Sequence, residues 1–118
     1  MKQILVVDDD DDLREMMALT LWSNGYAVTE ASSGEEALAA VAQGPEAPCL
    51  VLLDLMMPGM SGAQVLEKWR ATAHLERVPV IVVSALADVW KPPGAVGYLT
   101  KPVGHDELLH IVRTYCSD

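Results

Sequence analysis

Three stretches of this chain are apolar without a break and then end on a polar side chain: ILVV (4–7) before Asp8, LVLL (50–53) before Asp54 and VIVV (80–83) before Ser84. A strand with one wet face alternates apolar and polar residues. A run with no alternation has to be buried on both faces, the mark of a parallel sheet covered by helices on each side. This feature narrows the fold more than any other in the sequence.

The intervening segments supply the covering helices. Leu13, Met16, Met17, Thr20 and Leu21 recur at helical spacing, and Asn24-Gly25 stops that helix. YAVTE (26–30) reads as a weaker strand at a sheet edge. Ser33 and Glu36 have capping-box spacing before a second helix that Gly44-Pro45 ends, and Ser61 with Gln64 opens a third through Val65, Leu66 and Trp69. VPVIVVS (78–84) and VGYLT (96–100) complete the strands, and Leu108, Leu109, Val112 and Tyr115 mark a last helix. The order is βαβαβαβ, an irregular piece, then βα. It predicts one α/β domain over 1–118 with a five-stranded parallel sheet and right-handed crossovers.

With 118 residues, 51% of them hydrophobic, the chain can build a real core. A net charge of −9 disfavours direct contact with nucleic acid or an anionic membrane surface. The N-terminal MKQILVVDDD lacks the pattern of a signal peptide, and no apolar run has the length of a membrane span. Cys49 and Cys116 lie far apart with no metal-ligand spacing, so reduced thiols and a cytoplasmic setting are expected.

Ligands of such sheets sit at the carboxyl ends of the strands. Here those ends carry Asp8 and Asp9, Asp54, Ser84 and Lys101. Clustered carboxylates suit a hard divalent cation such as Mg²⁺, and a Lys and a Ser beside it can hold a phosphoryl group. Asp10, Asp11 and Asp12 lie in the first helical turn, where carboxylates favour the positive helix end.

ILVVDDD, VLLDLMMPGMSG, VIVVSA and GYLTKPV, in that order, resemble the receiver domain of two-component response regulators over residues 3 to 115. The resemblance implies a flavodoxin-like doubly wound sheet of order 2-1-3-4-5. It implies that Asp54 accepts a phosphoryl group from a sensor histidine kinase, a phosphotransfer protein or a small acyl phosphate. Asp9 would bind Mg²⁺ directly, Asp8 close by or through water, and the Met56 carbonyl and Asp54 would complete the protein ligands. Lys101 would pair with the phosphoryl oxygens, Ser84 would donate a hydrogen bond to one, and Tyr98 would be the switch aromatic whose rotamer follows the Ser84 movement, on a surface that a downstream protein target reads. The Lys101-Pro102 peptide would be cis.

Two departures from the family stand out. ALADVWKPPGAVGYLT, between Ser84 and Lys101, is roughly five residues short and carries Pro92-Pro93-Gly94 where the family places its fourth helix. That helix is expected to be missing or shortened to about one turn near 86–91. Trp90 then either covers core surface or, with Pro92 and Pro93, forms a partner surface. Met56 and Leu86, two residues after Asp54 and Ser84, are apolar. They predict slow loss of the phosphoryl group, although core packing also accounts for them.

A phosphatase of the haloacid-dehalogenase kind would need a D-x-D motif and a cap domain, for which no residues remain. A calcium EF-hand fails because Leu13 stands where its glycine belongs and Leu19 where its glutamate belongs. The main rival is a receiver-like adaptor that works without phosphorylation.

Overall fold

In a computed structural model of the chain, residues 2–43, 47–72 and 75–117 are described. The strands are β1 (Gln3–Val7), β2 (Ala27–Ala31), β3 (Leu50–Leu53), β4 (Val80–Ser84) and β5 (Gly97–Thr100). Between and after them run α1 (Asp11–Ser23), α2 (Gly34–Gln43), α3 (Gly62–Arg70) and α4 (His105–Cys116). All strand pairs are parallel and the order is β2-β1-β3-β4-β5, the doubly wound arrangement.

The unbroken apolar runs are unbroken because both faces are covered. Leu5, Val7, Val51, Leu53, Val80 and Val82 face α2 and α3, packing with Ala37, Val65, Leu66 and Trp69. Their neighbours Ile4, Val6, Leu50, Leu52, Ile81 and Val83 face the other way, onto Met17 and Leu21 of α1 and Leu108, Leu109 and Val112 of α4. Each Leu, Ile or Val buried in this way contributes about 1.5–3 kcal/mol. Trp69 is buried as well, and its indole N–H finds no hydrogen-bond partner among the described residues.

The helix starts follow local chemistry. Asp10 caps α1 by accepting from the Leu13 N–H at 3.2 Å, and Asp11 and Asp12 fill the first turn. Ser61 and Gln64 form a complete capping box. The expected box at Ser33 and Glu36 is only half made. Ser33 accepts from the Glu36 N–H, but the Glu36 carboxylate turns back to Ser32, binding its N–H and hydroxyl. Gly25, at φ 96°, turns the chain after α1. The predicted stop at Gly44-Pro45 lies outside the described residues.

Among the described residues, no helix stands between β4 and β5. Residues 85–89 make turns, with one i to i+4 bond from the Trp90 N–H to the Leu86 carbonyl. A strap replaces the helix, tied down by side chains. Arg70, at the end of α3, donates through Nε to the Gly94 carbonyl at 2.7 Å and through Nη1 to the Val78 carbonyl at 3.3 Å. Thr100 donates to Asp88 at 2.7 Å, and the Tyr98 hydroxyl donates to the Pro92 carbonyl.

The expectation of reduced thiols is overturned. Cys49 and Cys116 form a disulfide with Cα atoms 5.5 Å apart, and no free cysteine remains. A sequence separation of 67 concealed the proximity. Pairing of β1 with β3 brings Cys49, just before β3, to the sheet end where α4 finishes.

Candidate functional site: the carboxyl edge of the sheet

In-register parallel pairing carries the strand ends to one edge. Val7 pairs with Leu53 and Leu53 with Val82, while Ser84 pairs with Thr100. The residues that follow therefore emerge side by side. The ladder continues into them: the Asp54 N–H donates to the Val7 carbonyl and the Lys101 N–H to the Ser84 carbonyl, at 3.0 and 3.1 Å.

Lys101 is the hub. Its Nζ lies 2.8 Å from Asp8 Oδ2 and 3.4 Å from Asp54 Oδ2. Asp8 and Asp54 are both buried, whereas Asp9 is exposed. Carboxylate oxygens of all three approach within 4.8 Å of one another. The second oxygen of Asp8 accepts from the Asp10 N–H at 2.9 Å, and that of Asp54 from the Met56 N–H at 3.4 Å.

Two of the three carboxylates thus share one ammonium, and Asp9 adds a third negative charge beside them. Burial pushes the Asp54 carboxyl above its usual 3.8; Lys101 pulls it back down, and Asp8 adds to the rise. Burial works to lower the Lys101 ammonium, but its hydrogen bond to Asp8 and the charges of Asp54 and Asp8 leave it above 10.5. The donor set is all oxygen, under-neutralised and open to water through Asp9. It fits a hard divalent cation that keeps several waters.

The other expected residues are spread around this edge. Ser84 is fully buried, and its hydroxyl accepts from the Leu86 N–H at 3.2 Å. Tyr98 is half-buried beneath the strap, with Lys91 Nζ 5.6 Å from its ring centre. Met56 is 57% exposed beside the carboxylates. Trp90 is exposed at 37% and Pro93 is exposed too, but Pro92 is buried, with its carbonyl bound to Tyr98, and offers no surface to a partner. The Lys101-Pro102 peptide is cis.

Two features escaped the sequence reading. Arg14 is buried against the Asp8 backbone, a placement that helical spacing does not reveal. On α1, Met16, Leu19 and Trp22 are each 64% exposed, at spacings of three. Their apolar character was legible, but not that they face outward. Beside them a groove of about 450 Å³, lined by Leu13, Met16, Met17, Val103 and Leu108, reaches Lys101.

Comparison with known proteins agrees with this geometry. The sequence profile of the response regulator receiver domain matches residues 4–113, and the chain belongs to that family. It is 39% identical to the response regulator MprA of Mycolicibacterium vanbaalenii over 116 residues, which are 94% of this chain and 48% of MprA. The chain therefore spans about half the length of that relative. The structure of the response regulator TrrA of Thermotoga maritima in complex with Mg(2+)-BeF superposes with a TM-score of 0.84 at 34% identity, covering 98% of this chain and 99% of TrrA. The Francisella response regulator 1452 receiver domain gives 0.84 at 30%, covering 98% and 96%. No helix among the described residues is long and apolar enough to cross a membrane.

Proposed function

We propose that Asp54 is the phosphoacceptor of this receiver domain, a single unit spanning 1–118, with Mg²⁺ held by Asp8, Asp9, Asp54 and the Met56 carbonyl. The observation that carries this reading is Lys101 Nζ spanning Asp8 and Asp54 beside a third carboxylate. TrrA, similar over nearly its whole length, was solved in complex with Mg(2+)-BeF.

The phosphodonor is a histidine kinase, a phosphotransfer protein or a small acyl phosphate. An Asp54 carboxylate oxygen attacks phosphorus, an O–P bond forms, and the P–N bond of the donor phosphohistidine breaks. The leaving imidazole takes up a proton. Asp54 is a weak nucleophile, so the rate has to come from positioning and from neutralising the phosphoryl oxygens. A cation held by Asp8, Asp9 and Asp54 would supply part of that neutralisation. Lys101 supplies the rest by moving from Asp8 and Asp54 toward the incoming oxygens. Ser84 swings its hydroxyl away from the Leu86 N–H to donate to the phosphoryl group.

That exchange at Ser84 loosens the first turn of the strap, whose far end is bonded to Tyr98, and so links acceptor chemistry to a protein-facing surface. Trp90 and Pro93 are the exposed anchors there for a downstream target. The donor docks on the α1 face, where the apolar groove runs up to Lys101. Met56 and Leu86 cannot orient an attacking water, so the phosphoryl group is lost slowly.

A kinase-fed acceptor of this kind works in the cytoplasm. There the Cys49–Cys116 bond would meet thiol reductants, and alkylation of free thiols in cells before lysis measures how much of it persists.

Intact mass after incubation with Mg²⁺ and acetyl phosphate tests the assignment. Wild-type protein gains one phosphoryl group, and Asp54→Ala does not. A gain in both, or in neither, overturns it, and neither would point to an adaptor that works without phosphorylation.

A further inference from the structure

Arg14 takes no part in the chemistry above, yet it is a buried arginine within one turn of the acidic edge. Its guanidinium makes three contacts in three directions. Nη1 donates to the Asp8 main-chain carbonyl at 2.8 Å, Nη2 pairs with Asp11 at 2.8 Å, and Nε pairs with Glu30 at 3.2 Å. Glu30 belongs to β2, so the guanidinium is braced from the sheet as well as from its own helix.

The bond to Asp8 is the informative one. Asp8 has its N–H on the Ala31 carbonyl, one carboxylate oxygen on the Asp10 N–H and the other on Lys101. Arg14 takes the remaining backbone group and so sets the plane of the Asp8–Asp9 peptide. Asp9 is exposed, and no side-chain bond of its own holds its direction among the described contacts. That peptide plane sets how the Asp9 backbone leaves β1, and so narrows the directions open to its side chain.

We propose that Arg14 is a positioning residue for the cation site: through the Asp8 carbonyl it orients Asp9 toward Asp54. The proposal rests on the reading of Asp8, Asp9 and Asp54 as cation ligands.

Two other roles for Arg14 give different results. As a mere nearby positive charge it opposes a cation, and its removal tightens Mg²⁺ binding. As a structural brace alone it changes stability and leaves Mg²⁺ affinity where it was. Positioning predicts weaker binding whether or not the charge is kept, because Lys offers no planar fork to span the Asp8 carbonyl and two carboxylates. Residues that orient metal ligands typically change affinity by about 10- to 100-fold. One exposed carboxylate of several ligands belongs at the low end.

The test is the Mg²⁺ dissociation constant of the full chain by isothermal titration calorimetry, with urea unfolding in EDTA as the stability control. Wild type, Arg14→Lys, Arg14→Met and Asp9→Asn are compared. Both Arg14 variants should bind Mg²⁺ about tenfold more weakly, with Asp9→Asn at least as weak. Should Arg14→Met fail to fold, Arg14→Lys alone decides, since it keeps the net charge. Unchanged affinity in Arg14→Lys, or tighter binding in Arg14→Met, overturns the proposal while the Asp9→Asn loss still upholds the cation site. Absence of Mg²⁺ binding in the wild type overturns both.

Discussion

Gly62 offers the sharpest test of how the fold holds the acceptor. It opens α3, yet its backbone is pressed against that of Asp54, the proposed phosphoacceptor. A Cβ added there would lie 2.3 Å from the Asp54 carbonyl oxygen and 2.7 Å from the Leu55 Cα, where ordinary contact begins near 3.4 Å. Relief requires a movement of about 1 Å, and the obstacle is main chain rather than the end of a flexible side chain. The Gly62 N–H also donates to the Leu55 carbonyl at 3.0 Å, so α3 cannot retreat without weakening that bond.

Overpacking of this kind costs about 1–3 kcal/mol, and here the upper half applies. The better helix propensity of alanine returns at most about 1 kcal/mol. Gly62→Ala should therefore lose about 1–2 kcal/mol, roughly a 1 M fall in the urea midpoint at an m-value of about 1–3 kcal/mol/M. The functional effect should be larger than the stability effect. A reacting group misplaced by about 1 Å can lose on the order of 10²-fold in rate, so acetyl phosphate labelling, followed by intact mass, should slow by at least tenfold.

Gly34→Ala is the comparison. Its added Cβ meets a Val65 methyl at 2.5 Å, a side-chain obstacle away from the acceptor. It should lose stability while labelling at the wild-type rate. Gly62→Ala with wild-type stability and wild-type labelling would refute the idea that α3 fixes the acceptor backbone.

Further outcomes follow from the site and the strap. Lys101→Met leaves Asp8 and Asp54 buried without their cation, so in EDTA it should lose about 3 kcal/mol in urea unfolding and should not label. Because the folded Asp54 carboxyl titrates above its unfolded 3.8, the folded state holds its proton longer. In Mg²⁺-free buffer Asp54 thus takes stability away as pH rises from near 3.8 through the raised value. Asp54→Asn should gain on wild type across that window, and a constant gap between their unfolding curves would contradict this. Tyr98→Phe should cost about 1 kcal/mol by removing the bond to Pro92, and hydrogen exchange should quicken in 85–96 and not in β3. Reduction of Cys49–Cys116 should lower stability by about 4 kcal/mol, read as a shift in thermal midpoint with and without reductant.

How much of this could be read from the sequence depended on range. The sheet was legible because burial on both faces writes itself into consecutive residues such as LVLL (50–53). The site was legible because parallel register converts strand ends, which are local, into one edge, which is not. The loss of a helix before β5 was legible from the two prolines. What stayed hidden depends on contacts between distant segments. Pro92 looked like surface until Tyr98 took its carbonyl, and nothing local to α3 marks Arg70 as reaching Gly94. The cysteines gave no sign of meeting across 67 residues, and composition pointed the other way.

The cross-link also sets a load path. In a chain pulled from handles placed before β1 and after α4, tension would pass from Cys49 straight to Cys116. The loop they close, a sequence separation of 67 and about 230 Å of contour at roughly 3.5 Å per residue, would stay slack and unreleased. Only β1, α1, β2 and α2 would bear force. Extension would then tear Asp8, Asp9 and Arg14 away from the site while Asp54, Ser84 and Lys101 remained inside the closed loop. Asp54 and its ammonium would travel as one mechanical unit, and Asp8 and Asp9 as another.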